Sequence, residues 1–310
     1  MLLCCMKTVK DVFDAYHQGL DELYSAQEAE AITLIVLSEL SGLSSAKIKA
    51  FPEHEIPAER LEQLAAILGR LKTGEPVQYV IGHTEFYGLQ FKVNASVLIP
   101  RPETEELVAW AIDSVGSLQL AAGSGQWAGK ILDIGTGSGC IATSLKKNLP
   151  NFHVSAIDIS PDALQTAKDN AQLNNVDVDF IKGDILNPEQ PFAFHLSPLT
   201  SHHSPLTTHY SLIISNPPYV TLYDKTLMHK NVTDFEPHIA LFVPETDPLL
   251  FYKAIAAFAA THLTPGGLLY FEINESYGNE IVELLKDKHF KFIELRKDMS
   301  GRDRMVKAVI

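Results

Sequence analysis

Apolar positions along the chain pass through three kinds of spacing. From residue 7 to about 75 they recur at intervals of three and four, the period of helices lying on a core. Ser25-Ala26-Gln27-Glu28 is a capping box, and Ala29 to Leu40 carries the helical spacing onward. Pro57 opens a further helix whose buried face is Leu61, Leu64, Ile67, Leu68 and Leu71, and Gly74 ends it. Between Glu75 and Ile99 the pattern shortens. Gln78-Tyr79-Val80-Ile81-Gly82, Glu85-Phe86-Tyr87-Gly88 and Gln90-Phe91-Lys92-Val93 are aromatic and punctuated by glycine, which predicts a β-hairpin between two domains.

The third spacing begins near residue 130 and alternates short β-branched runs with helical ones. Strands are predicted at 130–134, 153–157, 178–181, 212–214 and 268–273, and helices at 140–149, 161–173 (capped by Ser160), 249–262 and 277–288. Repeated strand–helix units of this kind imply a mainly parallel sheet with helices on both faces. Two last strands, at 290–295 and 306–310, have no helix between them and suggest an antiparallel addition. A helix is expected through Leu107 and Trp110, with Glu103, Glu105 and Glu106 in its first turn, where acidic residues suit the helix dipole. Arg101 is placed to pair with one of those carboxylates. Gly116 to Gly129 reads as a linker loop.

Asn187 to His209 breaks the alternation. It is rich in Pro, Ser, Thr and His (His195, His202, His203 and His209) and reads as a long surface loop; its histidines lack helix-face ligand spacing and any nearby Cys, so no metal site is assigned. The 310 residues can bury a proper core, and 46% hydrophobic with 20% charged residues is the composition of a globular enzyme. The formal net charge of -13 argues against a protein that coats nucleic acid, which needs clustered Lys and Arg. Cys4, Cys5 and Cys140 form no metal spacing, which fits a reducing, cytoplasmic setting. Met1 to Cys5 is too short for a signal sequence or a membrane span and reads as a ragged start ahead of Met6.

Candidate chemistry gathers at strand ends. After Leu212-Ile213-Ile214, the run Ser215-Asn216-Pro217-Pro218-Tyr219 makes a stiff corner, because two prolines fix φ, remove two donors and bias Asn216 away from the α region. It offers a side-chain amide, unclaimed carbonyls and an aromatic ring, a set suited to a planar NH2 group such as an amide or a base amine. Gly135-Thr136-Gly137-Ser138-Gly139, between the first strand and its helix, is a cradle that lets a ligand approach backbone at a helix N-terminus. Cys140 follows it and no Lys-Ser/Thr pair is present, so a Walker-type site fails. Asp158 ends the second strand, where an acidic side chain accepts both hydroxyls of a ribose. Asp184 and Ile185 follow the third strand and either meet an adenine or form a solvated turn.

Together these residues resemble class I S-adenosylmethionine-dependent methyltransferases. More narrowly, the chain resembles the release-factor glutamine N5-methyltransferase (PrmC/HemK) family, through Gly74 to Gly82, Leu98 to Val108 with its Pro-Arg-Pro-Glu-Thr-Glu run, Ile131 to Ile141, Ser215 to Tyr219, Phe235-Glu236-Pro237 and Gly301-Arg302-Asp303-Arg304. The resemblance implies an α/β fold: a Rossmann-like seven-stranded methyltransferase sheet with a small N-terminal helical domain and a β-hairpin linker. The expected boundaries are 1–75 for a release-factor-binding helical domain, 76–100 for the hairpin linker and 101–310 for the methyltransferase domain. S-adenosyl-L-methionine would lie across Gly135, Thr136, Gly137, Ser138 and Gly139, with Asp158 at its ribose, Asp184 and Ile185 at its adenine and Asn216 beside it. The acceptor would be the glutamine amide of the Gly-Gly-Gln motif in class-1 peptide chain release factors, held by Asn216, Pro217, Pro218 and Tyr219, with Asn216, Pro217 and Tyr219 as the catalytic set. The enzyme would be a cytoplasmic monomer that needs no metal, no membrane and no direct nucleic-acid contact. Two departures from the family pattern stand out: Ser211 where an Asp is common, and the length of the 187–209 connection. The rival readings are a nucleic-acid adenine-N6 methyltransferase, which presents the same corner to a flipped base, and a non-catalytic release-factor or ribosome-binding module with a relic pocket.

Overall fold

The computed structural model describes residues 7–121, 129–187 and 209–310. These fall into two compact units, one holding the described residues up to His83 together with His229–Phe235, the other holding the rest.

The first unit is helical: α1 (Val9–Leu20), α2 (Ala26–Ser41), α3 (Ser45–Ala50), α4 (Ala58–Leu71) and α5 (Val77–Ile81). Both halves of the Ser25–Glu28 capping box are in place, with Glu28 N donating to Ser25 Oγ at 3.3 Å and Ser25 N to Glu28 Oε2 at 2.9 Å. Leu64, Leu68 and Leu71 of α4 are buried with Val12, Tyr16, Leu20 and Val36, while Leu61 and Ile67 flank them. The Tyr16 hydroxyl donates to Leu64 O at 2.8 Å inside this core. In the returning segment, His229 stacks on Tyr24 with ring centroids 5.6 Å apart and its Nε2 donates to Leu23 O at 2.9 Å.

The strand expected at Gln78–Gly82 is the helical turn α5. Tyr79, Val80 and Ile81 favour strands intrinsically, but Pro76 starts the turn and Gly82, at φ 83°, ends it. Arg70 supplies what a short helix lacks: its guanidinium donates to Val80 O at 3.1 Å and Tyr79 O at 3.4 Å while also gripping Glu75. The hairpin is therefore shorter than expected, with strands β1 (His83–Phe86) and β2 (Leu89–Lys92). Its two-residue turn puts Tyr87 and Gly88 at φ 50° and 71°, the left-handed pair that matches hairpin twist.

The second unit continues with α6 (Pro102–Ala121), β3 (Lys130–Ile134), α7 (Cys140–Asn148), β4 (His153–Asp158), α8 (Pro161–Leu173), β5 (Asp179–Lys182) and β6 (Tyr210–Ser215). Next come the short helices α9 (Leu222–Lys225), α10 (Lys230–Phe235, which groups with the first unit) and α11 (His238–Leu241), then α12 (Leu250–His262), β7 (Leu263–Glu272), α13 (Gly278–Asp287), β8 (Lys291–Lys297) and β9 (Asp303–Val309). The sheet order is β5-β4-β3-β6-β7-β9-β8, parallel up to β7 and antiparallel at β9 and β8. That agrees with seven strands and an antiparallel end. Residues 116–121, expected in a linker, extend α6: a glycine inside a helix costs only about 1 kcal/mol, and Ser117 Oγ closes on Asp113 O at 2.9 Å. At the Ser211 departure, β6 shifts register against β7 between Tyr210 and Leu212, and pairing is regular again from Leu212 to Ser215. The segment containing His195, His202 and His203 lies outside the described residues, as do Cys4, Cys5 and Met6.

Alternate residues of β3 and β6 face different cores. Ile131, Leu212 and Ile214 join one with α6 and α7, and Leu132, Ile134 and Ile213 join the other with α12 and α13. The hairpin packs on the first of these: Phe86 and Phe91 are fully buried there, and Asn170 of α8 brackets Lys92, accepting from its N at 2.7 Å and donating to its O at 3.0 Å. Because β3 connects to β4 on one side and pairs with β6 on the other, strand order reverses at β3/β6. Crevices at the carboxyl ends of such strands take ligands.

Candidate active site

A cleft of about 250 Å³ opens at that reversal point. Its walls include Gly135, Thr136, Gly137, Ser138, Asp158, Asp184, Ile185, Asn216, Pro217 and Pro218, so ten of the residues singled out from sequence come together. Gly139 and Tyr219 are not among the residues that line the cleft.

The cradle is shaped by its own amides. Gly135 N and Thr136 N donate to Ile157 O at 2.9 and 3.0 Å, Gly139 N to Thr136 O at 2.8 Å, and Gly137 N to Asp158 Oδ2 at 2.8 Å. These four donors hold the loop rather than being offered to a ligand, which corrects the simple picture of a row of free N–H groups. Gly139 is required where it stands: its φ is 78°, and a Cβ there would come 2.9 Å from Ala167 Cβ. Gly135 has the same left-handed backbone and open space on its Cβ side, so a ligand can lie against bare backbone.

Asp158 accepts Gly137 N on Oδ2 and Ser160 N at 2.9 Å on Oδ1. Burial pushes its pKa up while these backbone bonds pull it back. The carboxylate also lines the cleft. Asp184 accepts Leu186 N at 2.9 Å and Asn187 Nδ2 at 2.6 Å, so it closes a turn, and it also lines the cleft.

In the corner, Ser215 Oγ donates to Ile134 O at 2.6 Å and ties β6 to β3. Asn216 Nδ2 donates to Thr104 Oγ1 at 3.2 Å. Thr104 Oγ1 donates to Glu272 Oε2 at 2.6 Å, and the Tyr219 hydroxyl donates to Glu272 Oε1 at 3.0 Å. The Tyr219 hydroxyl is thus anchored on that buried carboxylate. Burial raises the Glu272 pKa, opposed by the Thr104 and Tyr219 hydroxyls and by Arg304.

Sequence similarity bears directly on this site. Residues 14–82 match the PrmC N-terminal domain and residues 111–234 the Methyltransferase small domain. A curated release factor glutamine methyltransferase of Flavobacterium psychrophilum is 44% identical over 96% of this chain and 98% of its own. The chain belongs to the release factor glutamine methyltransferase family. A member from Bacteroides thetaiotaomicron is 38% identical over 94% of the chain and 96% of its own length. Among solved structures, the hMettl16 catalytic domain, in complex with an RNA hairpin, matches 75% of this chain and 80% of its own at 17% identity and a TM-score of 0.51, a likeness of fold. Transfer of methyl groups calls for a donor of the S-adenosylmethionine type. The bare backbone at Gly135 and the Asp158 carboxylate in the cleft wall fit one.

In this family member several site residues escaped the sequence reading. Arg101 pairs not with a neighbouring glutamate but with Glu236, which is buried and also accepts Ile99 N at 3.2 Å. Arg101 thereby enters the cleft wall, far in sequence from its partner. Asp133, one residue before the end of β3, is fully buried; Thr136 donates to its Oδ2 at 2.6 Å, and desolvation pushes its pKa up to about 7. Burial was readable from the apolar strand around Asp133. The Thr104–Glu272 contact had no local signal.

Proposed function

We propose that this protein methylates the side-chain amide nitrogen of the Gly-Gly-Gln glutamine in class-1 peptide chain release factors, with S-adenosyl-L-methionine as donor. The observation that carries the reading is a single cleft walled by both the glycine-rich cradle with Asp158 and the Asn216–Pro218 corner, in a chain 44% identical along its length to a release factor glutamine methyltransferase. Gly135 to Gly139 take the donor's chain, Asp158 its ribose hydroxyls, and the Asp184–Ile185 turn its adenine. The donor, when bound, supplies an electrophilic methyl group on a sulfonium.

Glutamine nitrogen is a poor nucleophile because its lone pair is delocalised into the carbonyl. Asn216 Oδ1 and the Pro217 carbonyl accept its two N–H bonds and turn the lone pair out of the amide plane toward the methyl group. Pro218 bounds the site, and Tyr219, its hydroxyl anchored on Glu272, packs its ring on the amide plane. No base need remove a proton first, because the cationic amide left by methylation would give up its proton to water; catalysis comes from positioning and from acceptors already in place. The helical domain supplies contacts to the release factor, and neither a metal nor a second copy of the chain is needed.

The discriminating experiment offers labelled S-adenosyl-L-methionine with a release factor, duplex DNA and RNA in parallel. Label is expected in the release factor alone, and only while its Gly-Gly-Gln glutamine is intact. Label in either nucleic acid would mean that the corner reads a base amine, and none anywhere would mean a binding module.

A further inference from the structure

Glu272 takes no part in the mechanism above, yet it is the most deeply enclosed carboxylate beside the corner, with 1% of its surface exposed. Burying a carboxylate is costly unless its oxygens are well bonded, and here each one is committed. Oε2 accepts Thr104 at 2.6 Å and Oε1 accepts Tyr219 at 3.0 Å, with the Arg304 cation adding favourable charge nearby. Glu272 ends β7, one residue past the Phe271–Ser215 pairing, so it lies alongside the corner as the corner leaves β6.

The proton count along this chain has a consequence. A threonine hydroxyl has one proton. Donated to Glu272, it leaves Thr104 Oγ1 able only to accept, and the group facing it at 3.2 Å is the Asn216 side chain. The end of that amide turned to Thr104 must then be the NH2, which leaves Oδ1, a pure acceptor, as the end presented to the cleft. With the amide reversed, Asn216 would offer an N–H to an acceptor that itself carries NH2, and donor would meet donor.

We propose that Glu272, acting through Thr104, is a positioning residue that fixes which end of the Asn216 amide meets the methyl acceptor. The proposal rests on the reading of Asn216 as the residue that holds the substrate amide. It also gives a reason for the threonine within Pro100-Arg101-Pro102-Glu103-Thr104-Glu105: its hydroxyl, not its place in the first turn of α6, is what the site uses.

The test uses the full chain with Thr104→Val, Thr104→Ser, Glu272→Gln and Asn216→Ala. Thr104→Val is nearly isosteric and should lower kcat by about 100-fold, as misplacement of a catalytic group does, with KM for the release factor and the Kd for S-adenosyl-L-methionine within about threefold of the parent. Thr104→Ser, which restores the hydroxyl, should recover most of the loss. Thr104→Val combined with Glu272→Gln should cost less than the sum of the two, because both break one relay. A kcat within a factor of two for Thr104→Val, or a loss that serine does not rescue, overturns the proposal. A second readout needs no turnover. In protein labelled with 15N-asparagine, the Asn216 side-chain NH2 resonances, identified by their disappearance in Asn216→Ala, should shift and lose exchange protection in Thr104→Val; unchanged resonances overturn the relay. If the parent enzyme fails to methylate a release factor, the proposed substrate is wrong, and these resonances still decide whether Thr104 orients Asn216.

Discussion

In the glycine-rich cradle, the bonds that set shape run between backbone amides and nearby acceptors, and the longest reach of those amides, from Gly135 to Ile157, spans 22 residues. In the Asn-Pro-Pro-Tyr corner, the bonds run between side chains and come from far away: Asn216 to Thr104 across 112 residues, Thr104 to Glu272 across 168, Tyr219 to Glu272 across 53. Both regions line or support one cleft at the reversal point of the sheet. The cradle is thus a local object, rigid once its strand–turn–helix unit forms. The corner is rigid in backbone by its prolines, but its side chains acquire direction only when α6, β6 and β7 are assembled. Substitutions should therefore separate the two regions by what they damage.

The largest separation is expected at Asn216. Asn216→Ala should raise the barrier by about 3 kcal/mol, a hundredfold or more in turnover, while donor affinity measured by calorimetry stays near that of the parent. Near-parental turnover on a release factor would remove the corner from the chemistry. Gly139→Ala attacks the cradle's backbone, where a left-handed residue also meets Ala167; about 2 kcal/mol of stability should be lost, read as a lower Tm, with donor binding impaired. An unchanged Tm would mean that the loop relaxes freely and that the cradle is softer than its bonds suggest. Asp158→Ala should weaken donor binding by about 2 kcal/mol, roughly thirtyfold, and leave single-turnover rates at saturating donor close to parental; equal affinity would remove Asp158 from the ribose.

The smallest effect concerns Asp133, beneath the cradle. Its pKa is raised to about 7 in the fold, against 3.8 for the free side chain. Between those values the folded chain holds a proton that the unfolded chain has released, so the group's contribution makes stability fall as pH rises through that window. Asp133→Asn keeps an acceptor for Thr136 but cannot ionise. Its stability advantage over the parent should be larger at pH 8 than at pH 5, by an amount on the order of 1 kcal/mol once the surroundings relax, and is read as a wider Tm gap. The same Tm gap at both pH values would show that Asp133 is not held neutral in the fold.

What could be read ahead of the structure follows the same division. The parallel sheet, its antiparallel end, the cradle, Asp158 and Asn216 all carry local signals: period, glycine spacing, a residue type at a strand end. The misreadings lie where distant groups intervene. Gln78 to Ile81 looked like strand because Arg70's role in bonding the carbonyls of Tyr79 and Val80 is not written in that stretch. Arg101 appeared destined for a neighbouring glutamate, and a buried one, Glu236, stood closer. The bond that anchors the Tyr219 hydroxyl on Glu272, 53 residues away, was likewise unwritten in its own stretch.

The sequence alone determined the class of fold, the family, and which chain segments meet at the site, because these depend on periodicity and on motifs whose residues are close together. Only the tertiary structure decided how the site is aimed: the internal bonding of the cradle's amides, the pairing of Arg101, and the Thr104–Glu272 relay beneath Asn216. The reason is physical. A hydrogen bond between residues more than a hundred positions apart leaves no period or spacing to read, and its direction follows from a count of protons and acceptors that can be made only once the partners are in contact.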